Sequence, residues 1–188
     1  MLSHPFSLLP DSSCVVVQLQ KGQHVFCRSE PVHSIFVLIS GQVQMQKITK
    51  EGQMVVIHQV QEQESFAEAA LFSDHYHCDC VCLSNVSIMK ISKPAVLKAM
   101  STDSSFANAL VQMLSYQVQH YRQRLKISSI YSAKDRVLAA LSSNTPYLKI
   151  TDLAASIGLS HEACYRALSS LVKDGKLKKL GRGKYVLK

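Results

Sequence analysis

The sequence predicts an α+β chain, with a β-rich first half followed by a long helix, further helices and a closing hairpin. Three observations predict it. Short strands with period-two alternation run up to Ile91. An unbroken helical stretch over 101–129 carries a heptad seam. A two-helix pattern with a glycine turn then precedes a strongly basic hairpin. These changes of periodicity place domain boundaries at 1–100, 101–130 and 131–188.

The strands are Cys14–Leu19, His24–Cys27, Ser34–Ile39, Gln42–Ile48, Met54–Val60, Cys78–Leu83 and Val86–Ile91. Apolar and polar residues alternate most clearly in Gln42–Ile48, as a half-buried strand requires. Gly22, Gly41 and Gly52 punctuate the runs as turns. Short strands at such regular spacing indicate a sandwich or barrel. A short helix near Pro94–Met100 follows the last strand.

Residues 101–129 contain neither Gly nor Pro. Within them Ala107, Val111, Leu114, Val118, Tyr121, Leu125 and Ser128 recur at alternating steps of four and three, the signature of a coiled-coil seam. The alternative is a helix packed on its own domain. A helix this long exceeds what a small barrel needs, so the expectation is a homodimer joined through Val111, Leu114, Val118, Tyr121 and Leu125.

A further helix over Ser132–Ser143 ends before Asn144-Thr-Pro146. The segment from Ile150 to Val172 has helix-turn-helix grammar. Leu153, Ala154 and Ile157 form one apolar stripe, Gly158 permits a turn at positive φ, and Ser160 caps the next helix. Ala163, Cys164, Ala167, Leu168 and Leu171 give that helix its buried face. His161, Glu162, Tyr165, Arg166 and Ser169 are left exposed. Arg166 can donate two bonds to a guanine, and Glu162 can accept from cytosine N4. The bland alternative is an ordinary i,i+4 Glu–Arg pair on a solvated face. Leu177–Leu180 and Lys184–Leu187 flank Gly-Arg-Gly as a β-hairpin wing. Lys176, Lys178, Lys179, Arg182 and Lys184 suit phosphates, which position a protein on DNA without specifying sequence; a merely solvated hairpin is the alternative.

The charge distribution agrees with this. Net charge is +8 over 188 residues. Residues 1–100 carry 7 Lys/Arg against 8 Asp/Glu, whereas residues 101–188 carry 14 against 5. A neutral half joined to a basic half points the second half at a polyanion, here double-stranded DNA. A membrane is disfavoured because no apolar run of about 18 residues and no lipidation signal occurs. The N-terminus has no basic region before an apolar run, so the expected compartment is the cytoplasm, with reduced thiols.

Ile35-Phe-Val-Leu-Ile-Ser-Gly41-Gln-Val, Phe66-Ala-Glu68-Ala-Ala-Leu-Phe72, the long helix and Gly158-Leu-Ser-His-Glu162-Ala-Cys-Tyr-Arg166 together resemble the catabolite activator / fumarate-nitrate regulator (Crp/Fnr) family over nearly the full chain. The resemblance implies a cupin-like double-stranded β-roll, a dimerisation helix and a C-terminal winged helix-turn-helix. It implies a transcription regulator rather than an enzyme, with RNA polymerase as a further partner. Glu162 and Arg166 match the family's base-reading pattern, while His161 and Tyr165 depart from it.

The family's phosphate cassette is only partly kept. Glu68 is present, but Cys78 and Asp79 stand where nucleotide-binding members carry arginine and a hydroxyl residue. A cyclic phosphate would face a carboxylate without a fixed cation, a repulsion of about 1 kcal/mol at 4 Å in water and about 4 at an effective dielectric of 20. Cyclic nucleotide is thereby disfavoured. Cys14 and Cys27 are too few for an N-terminal four-cysteine iron–sulfur cluster. His75-Tyr-His77-Cys78-Asp-Cys80-Val-Cys82 offers an alternative. Its thiols share one strand face at about 6.6 Å spacing. With His75 and His77, Cys78 and Cys80 could hold copper, zinc or haem, or respond to oxidation. Core packing is the competing role, and Cys82 and Cys164 are expected to be core. A cupin-type metalloenzyme with an accessory basic domain is the alternative function, but His24, His33 and His58 lack the spacing of a cupin metal set.

Overall fold

The computed structural model describes residues 4–143, 150–181 and 183–188. Arg182 and the Asn144–Pro146 break lie outside the described residues. The chain forms two compact units, Met1–Met113 and Leu114–Lys188. No helix among the described residues is long and apolar enough to cross a membrane.

The first unit is a β-roll of two antiparallel four-stranded sheets. β1 (Cys14–Leu19), β8 (Val86–Ser92), β3 (Ser34–Ser40) and β6 (Ser65–Phe66) lie side by side in one. β2 (His24–Phe26), β7 (Asp79–Cys82), β4 (Val43–Ile48) and β5 (Met54–Val60) form the other. The predicted strands are all present. β6 was not expected, since two residues are too short to show alternation. It pairs Phe66 with Phe36 on β3. β7 starts one residue later than expected, with Cys78 just before it.

Aromatic rings fill the roll. Phe26 stacks on Tyr76 with centroids 4.0 Å apart, and Phe36 stacks on Phe66 at 5.3 Å. Each ring withdrawn from water contributes about 1.5–3 kcal/mol. Tyr76 keeps its polar end satisfied by donating to the Ser34 carbonyl at 2.6 Å. Burial pushes its phenol up to about 12. At the β3–β4 turn Gly41 has φ +95°, and a Cβ there would lie 2.5 Å from the Asn85 carbonyl oxygen. Only glycine fits both the conformation and the space.

α1 (Lys93–Thr102) follows β8 without a loop, capped by the Ser92 hydroxyl. α2 (Ser104–Ser128) is one continuous helix of 25 residues. Its start buries Phe106 and Leu110 completely.

In the second unit α3 (Ala133–Ser142), α4 (Ile150–Ser156), α5 (His161–Lys173) and the hairpin β9 (Leu177–Gly181) and β10 (Lys184–Leu187) close around one core. Ile127 from the last turn of α2 joins Val137, Leu153, Ile157, Cys164, Leu168, Leu171, Leu177 and Tyr185 there. Leu153, Ile157, Cys164, Leu168 and Leu171 are expected there from the helix-turn-helix pattern, Ile127, Val137, Leu177 and Tyr185 join them through the fold, and Ala163 is only half-buried.

Candidate nucleic-acid interface

α5 begins where the sequence says it should. The Ser160 hydroxyl accepts from the Ala163 amide at 3.1 Å, and Gly158 has φ +64° two residues earlier. Capping satisfies an amide that the first turn of a helix leaves orphaned. Cys164, Ala167, Leu168 and Leu171 turn inward. The opposite face, His161, Glu162, Tyr165, Arg166 and Ser169, is exposed. The His161 and Tyr165 rings meet edge-to-face with centroids 5.6 Å apart. Tyr165, Arg166, Ser169, Ser170 and Lys173 line a shallow groove along the helix.

The wing supplies cations. In β9 and β10 Leu177 pairs with Leu187 and Lys179 with Tyr185, and a bulge interrupts the register between Lys184 and Tyr185. Leu177 and Tyr185 are buried, whereas Lys178, Lys179 and Lys184 are exposed. Exposed ammonium groups on a short hairpin suit phosphate oxygens. Arg182, expected to act with them, lies outside the described residues. Lys134 pairs with Asp174 at 3.1 Å, but both are about half exposed, so the pair stabilises by at most about 1 kcal/mol.

Arg136 has a role that no sequence motif marks. The Arg136 guanidinium donates from Nε and Nη2 to the Ile130 carbonyl, at 3.0 and 2.8 Å. Its Nη1 donates to the carbonyls of Ile157 and Gly158, both at 3.1 Å. No motif announces this, because the acceptors are backbone atoms of distant segments.

On α2, Val111 (58% exposed), Val118 (46%), Tyr121 (42%) and Leu125 (68%) present apolar surface to solvent, and Leu114 is half-buried. Such a row along one helix is unusual for an isolated chain.

The sensor residues are dispersed. Glu68 begins a short 3₁₀ turn, Glu68–Ala70, entered through Ala67 at φ 68°. Its carboxylate accepts a short hydrogen bond from the Ser65 hydroxyl. Asp79 accepts from the Arg28 amide at 2.8 Å, so it fastens the end of β2. Cys78, Cys80 and Cys82 do share one face, and that face is the packed core. His75 and His77 lie outside it, exposed, with His77 Nε2 3.0 Å from the Ser73 hydroxyl. The grouping of His75, His77, Cys78 and Cys80 expected from the sequence is therefore not formed, and Glu68 is engaged with Ser65. No three His, Cys, Asp or Glu side chains among the described residues are placed to hold a metal ion. The donor set does not fit a shared copper or zinc. All six thiols are held above their ordinary value, chiefly by burial, and Cys80 most strongly. None is the low-pKa thiolate that oxidation chemistry favours. His58 is buried, with Nε2 2.9 Å from Glu64 Oε1.

Residues 16–103 match the family model of the cyclic nucleotide-binding domain. Residues 135–188 match that of a transcriptional regulator, the AbiEi antitoxin. Comparison with curated proteins returned no match. Among solved structures, FixK2 from Bradyrhizobium japonicum is similar with a TM-score of 0.69 at 19% identity, over 93% of this chain and 92% of that one. DNR from Pseudomonas aeruginosa is similar with a TM-score of 0.57 at 25% identity, over 98% and 90%. A CRP-family transcriptional regulator from Thermus thermophilus, TTHB099, gives 0.61 at 14%, over 91% of each chain. The fold is that of a Crp/Fnr-type transcription regulator. These similarities fall on regulators, not enzymes, so the metalloenzyme alternative gains nothing from them.

Proposed function

We propose that this chain is a homodimeric, sequence-specific DNA-binding transcription regulator of the Crp/Fnr family. The observation that carries the reading is the exposed face of α5. Glu162 and Arg166 stand there, together with three exposed wing lysines, in the half of the chain that holds the positive charge. On this reading α5 enters the major groove and its N-terminal residues meet base edges. Arg166 reads a guanine and Glu162 accepts from a cytosine. Lys179, Arg182 and Lys184 fix the protein on phosphates. The apolar row on α2 buries against the same row of a second copy, and RNA polymerase is the partner through which bound protein acts.

The β-roll modulates DNA affinity through a signal other than a cyclic nucleotide. Where the cassette would place an arginine there is buried Cys78, and Asp79 adds negative charge. A multi-donor metal does not fit the dispersed histidines and thiols. Haem needs only one axial imidazole, which exposed His75 or His77 can supply. An absorption spectrum of protein purified without oxygen tests that second reading: a Soret band supports it, and a colourless protein without iron removes it.

The DNA reading is tested by mobility shift on the DNA upstream of the chain's own coding region, titrated with salt. Retardation that survives excess competitor DNA supports specific binding. Retardation that any competitor abolishes equally overturns it.

A further inference from the structure

We propose that Arg136 is the positioning residue through which the end of α2 sets the recognition helix. This rests on the reading that α5 meets DNA. Three nitrogens of one planar group are used at once, on two segments well apart in the chain. Nε and Nη2 hold Ile130, in the link between α2 and α3. Nη1 holds Ile157 and Gly158, in the turn between α4 and α5.

Both ends of this bracket are anchored. The Ile130 amide donates to the Ile127 carbonyl at 3.1 Å, and Ile127 is buried in the C-terminal core. The Leu159 amide donates to the Ala154 carbonyl at 2.9 Å, closing the turn on α4. Ser160, the cap of α5, follows directly. Arg136 itself is fixed by its amide, which donates to the Ser132 carbonyl at 2.9 Å. A displacement of the last turn of α2 therefore reaches the start of α5 through a rigid fork in addition to the shared core that holds Ile127. The acceptors are neutral carbonyls, so no titration breaks the link. Only a guanidinium has donors in the fixed fork needed to reach both segments. A lysine ammonium is a single point.

The consequence separates Arg136 from a residue that merely stabilises. Loss of folded protein lowers affinity for every duplex by the same factor. Loss of positioning lowers affinity for the cognate duplex alone, because phosphate contacts tolerate small rotations and bidentate base contacts do not.

The test measures equilibrium binding of the full chain to a selected cognate duplex and to a scrambled duplex of equal length. Wild type, Arg136→Gln and Arg136→Lys are compared. Both variants are expected to lower the cognate-to-scrambled ratio by about tenfold or more, at unchanged salt slope. Hydrogen exchange gives a second readout: amides of Leu159–Cys164 exchange faster in both variants, while those of Leu168 and Leu171 do not. An unchanged ratio, or equal losses on both duplexes with unaltered exchange, overturns the proposal. A wild-type ratio of one overturns the DNA reading itself, and the proposal with it.

Discussion

The Nη1 nitrogen of Arg136 lies 3.1 Å from the Gly158 carbonyl oxygen, at the turn that leads into α5. Gly158 sits at φ +64°, and a Cβ there would meet nothing nearer than that same nitrogen at 3.8 Å. Space is therefore not the constraint; backbone conformation is. Gly158→Ala is expected to destabilise the C-terminal unit by about 1–2 kcal/mol, the cost of a left-handed conformation for a residue with a Cβ. Thermal denaturation followed by circular dichroism checks this. An unchanged melting temperature would show that the turn relaxes freely.

The two proposed classes of DNA contact, base-reading on α5 and phosphate-binding on the wing, predict two different defects. Arg166→Ala should cost about 1–3 kcal/mol on the cognate site and relax preference at one base pair. Lys179→Ala should weaken binding to all duplexes alike and lower the salt slope by about one. Fluorescence anisotropy at several salt concentrations distinguishes them. Indistinguishable variants would mean that α5 does not read bases.

The α2 row predicts an assembly defect. Val118 and Leu125 are exposed in the single chain, so Val118→Glu and Leu125→Glu should leave its fold intact. Each should convert dimer to monomer, since a carboxylate in a buried seam lacks a partner. Sedimentation equilibrium reads the mass. A wild-type monomer, or a variant dimer as stable as wild type, contradicts the assignment.

Cys164 predicts an alkaline slope. It is fully buried, and burial pushes its thiol up to about 11 from an ordinary value near 9. Above pH 9 the unfolded chain loses this proton while the folded chain keeps it, so stability falls between about pH 9 and pH 11 and levels off beyond. Below pH 9 this thiol contributes no pH dependence. Cys164→Ala should make that part of the profile less steep in urea titrations, with the other raised thiols and the Tyr76 phenol keeping the remaining slope, even though it lowers stability overall by leaving a small void. An identical slope in the variant would assign the alkaline loss to other groups.

Legibility differed sharply between the two ends of the chain. α5 could be read because its signals are local: Gly158 and Ser160 stand just before it as turn and cap, and Cys164, Leu168 and Leu171 recur at the helical period. The strands of the roll were legible for the same reason, except β6, whose two residues carry no period. The shared face of Cys78, Cys80 and Cys82 was also legible, but not its surroundings. Alternation tells that three thiols face one way and cannot tell whether that way holds a ligand or Phe26, Phe36 and Tyr76. Arg136 was invisible because its four acceptor contacts are backbone carbonyls brought together only by the tertiary fold.

The central claim is that α5 reads sequence, and site selection from a random duplex pool tests it most directly. The expected result is an inverted repeat, with half-sites whose centres lie about one helical turn apart, as a two-fold dimer requires. Glu162→Ala together with Arg166→Ala is expected to erase the motif while retardation of bulk DNA persists. Recovery of no common motif by the wild-type protein, or of the same motif by the double variant, would contradict it.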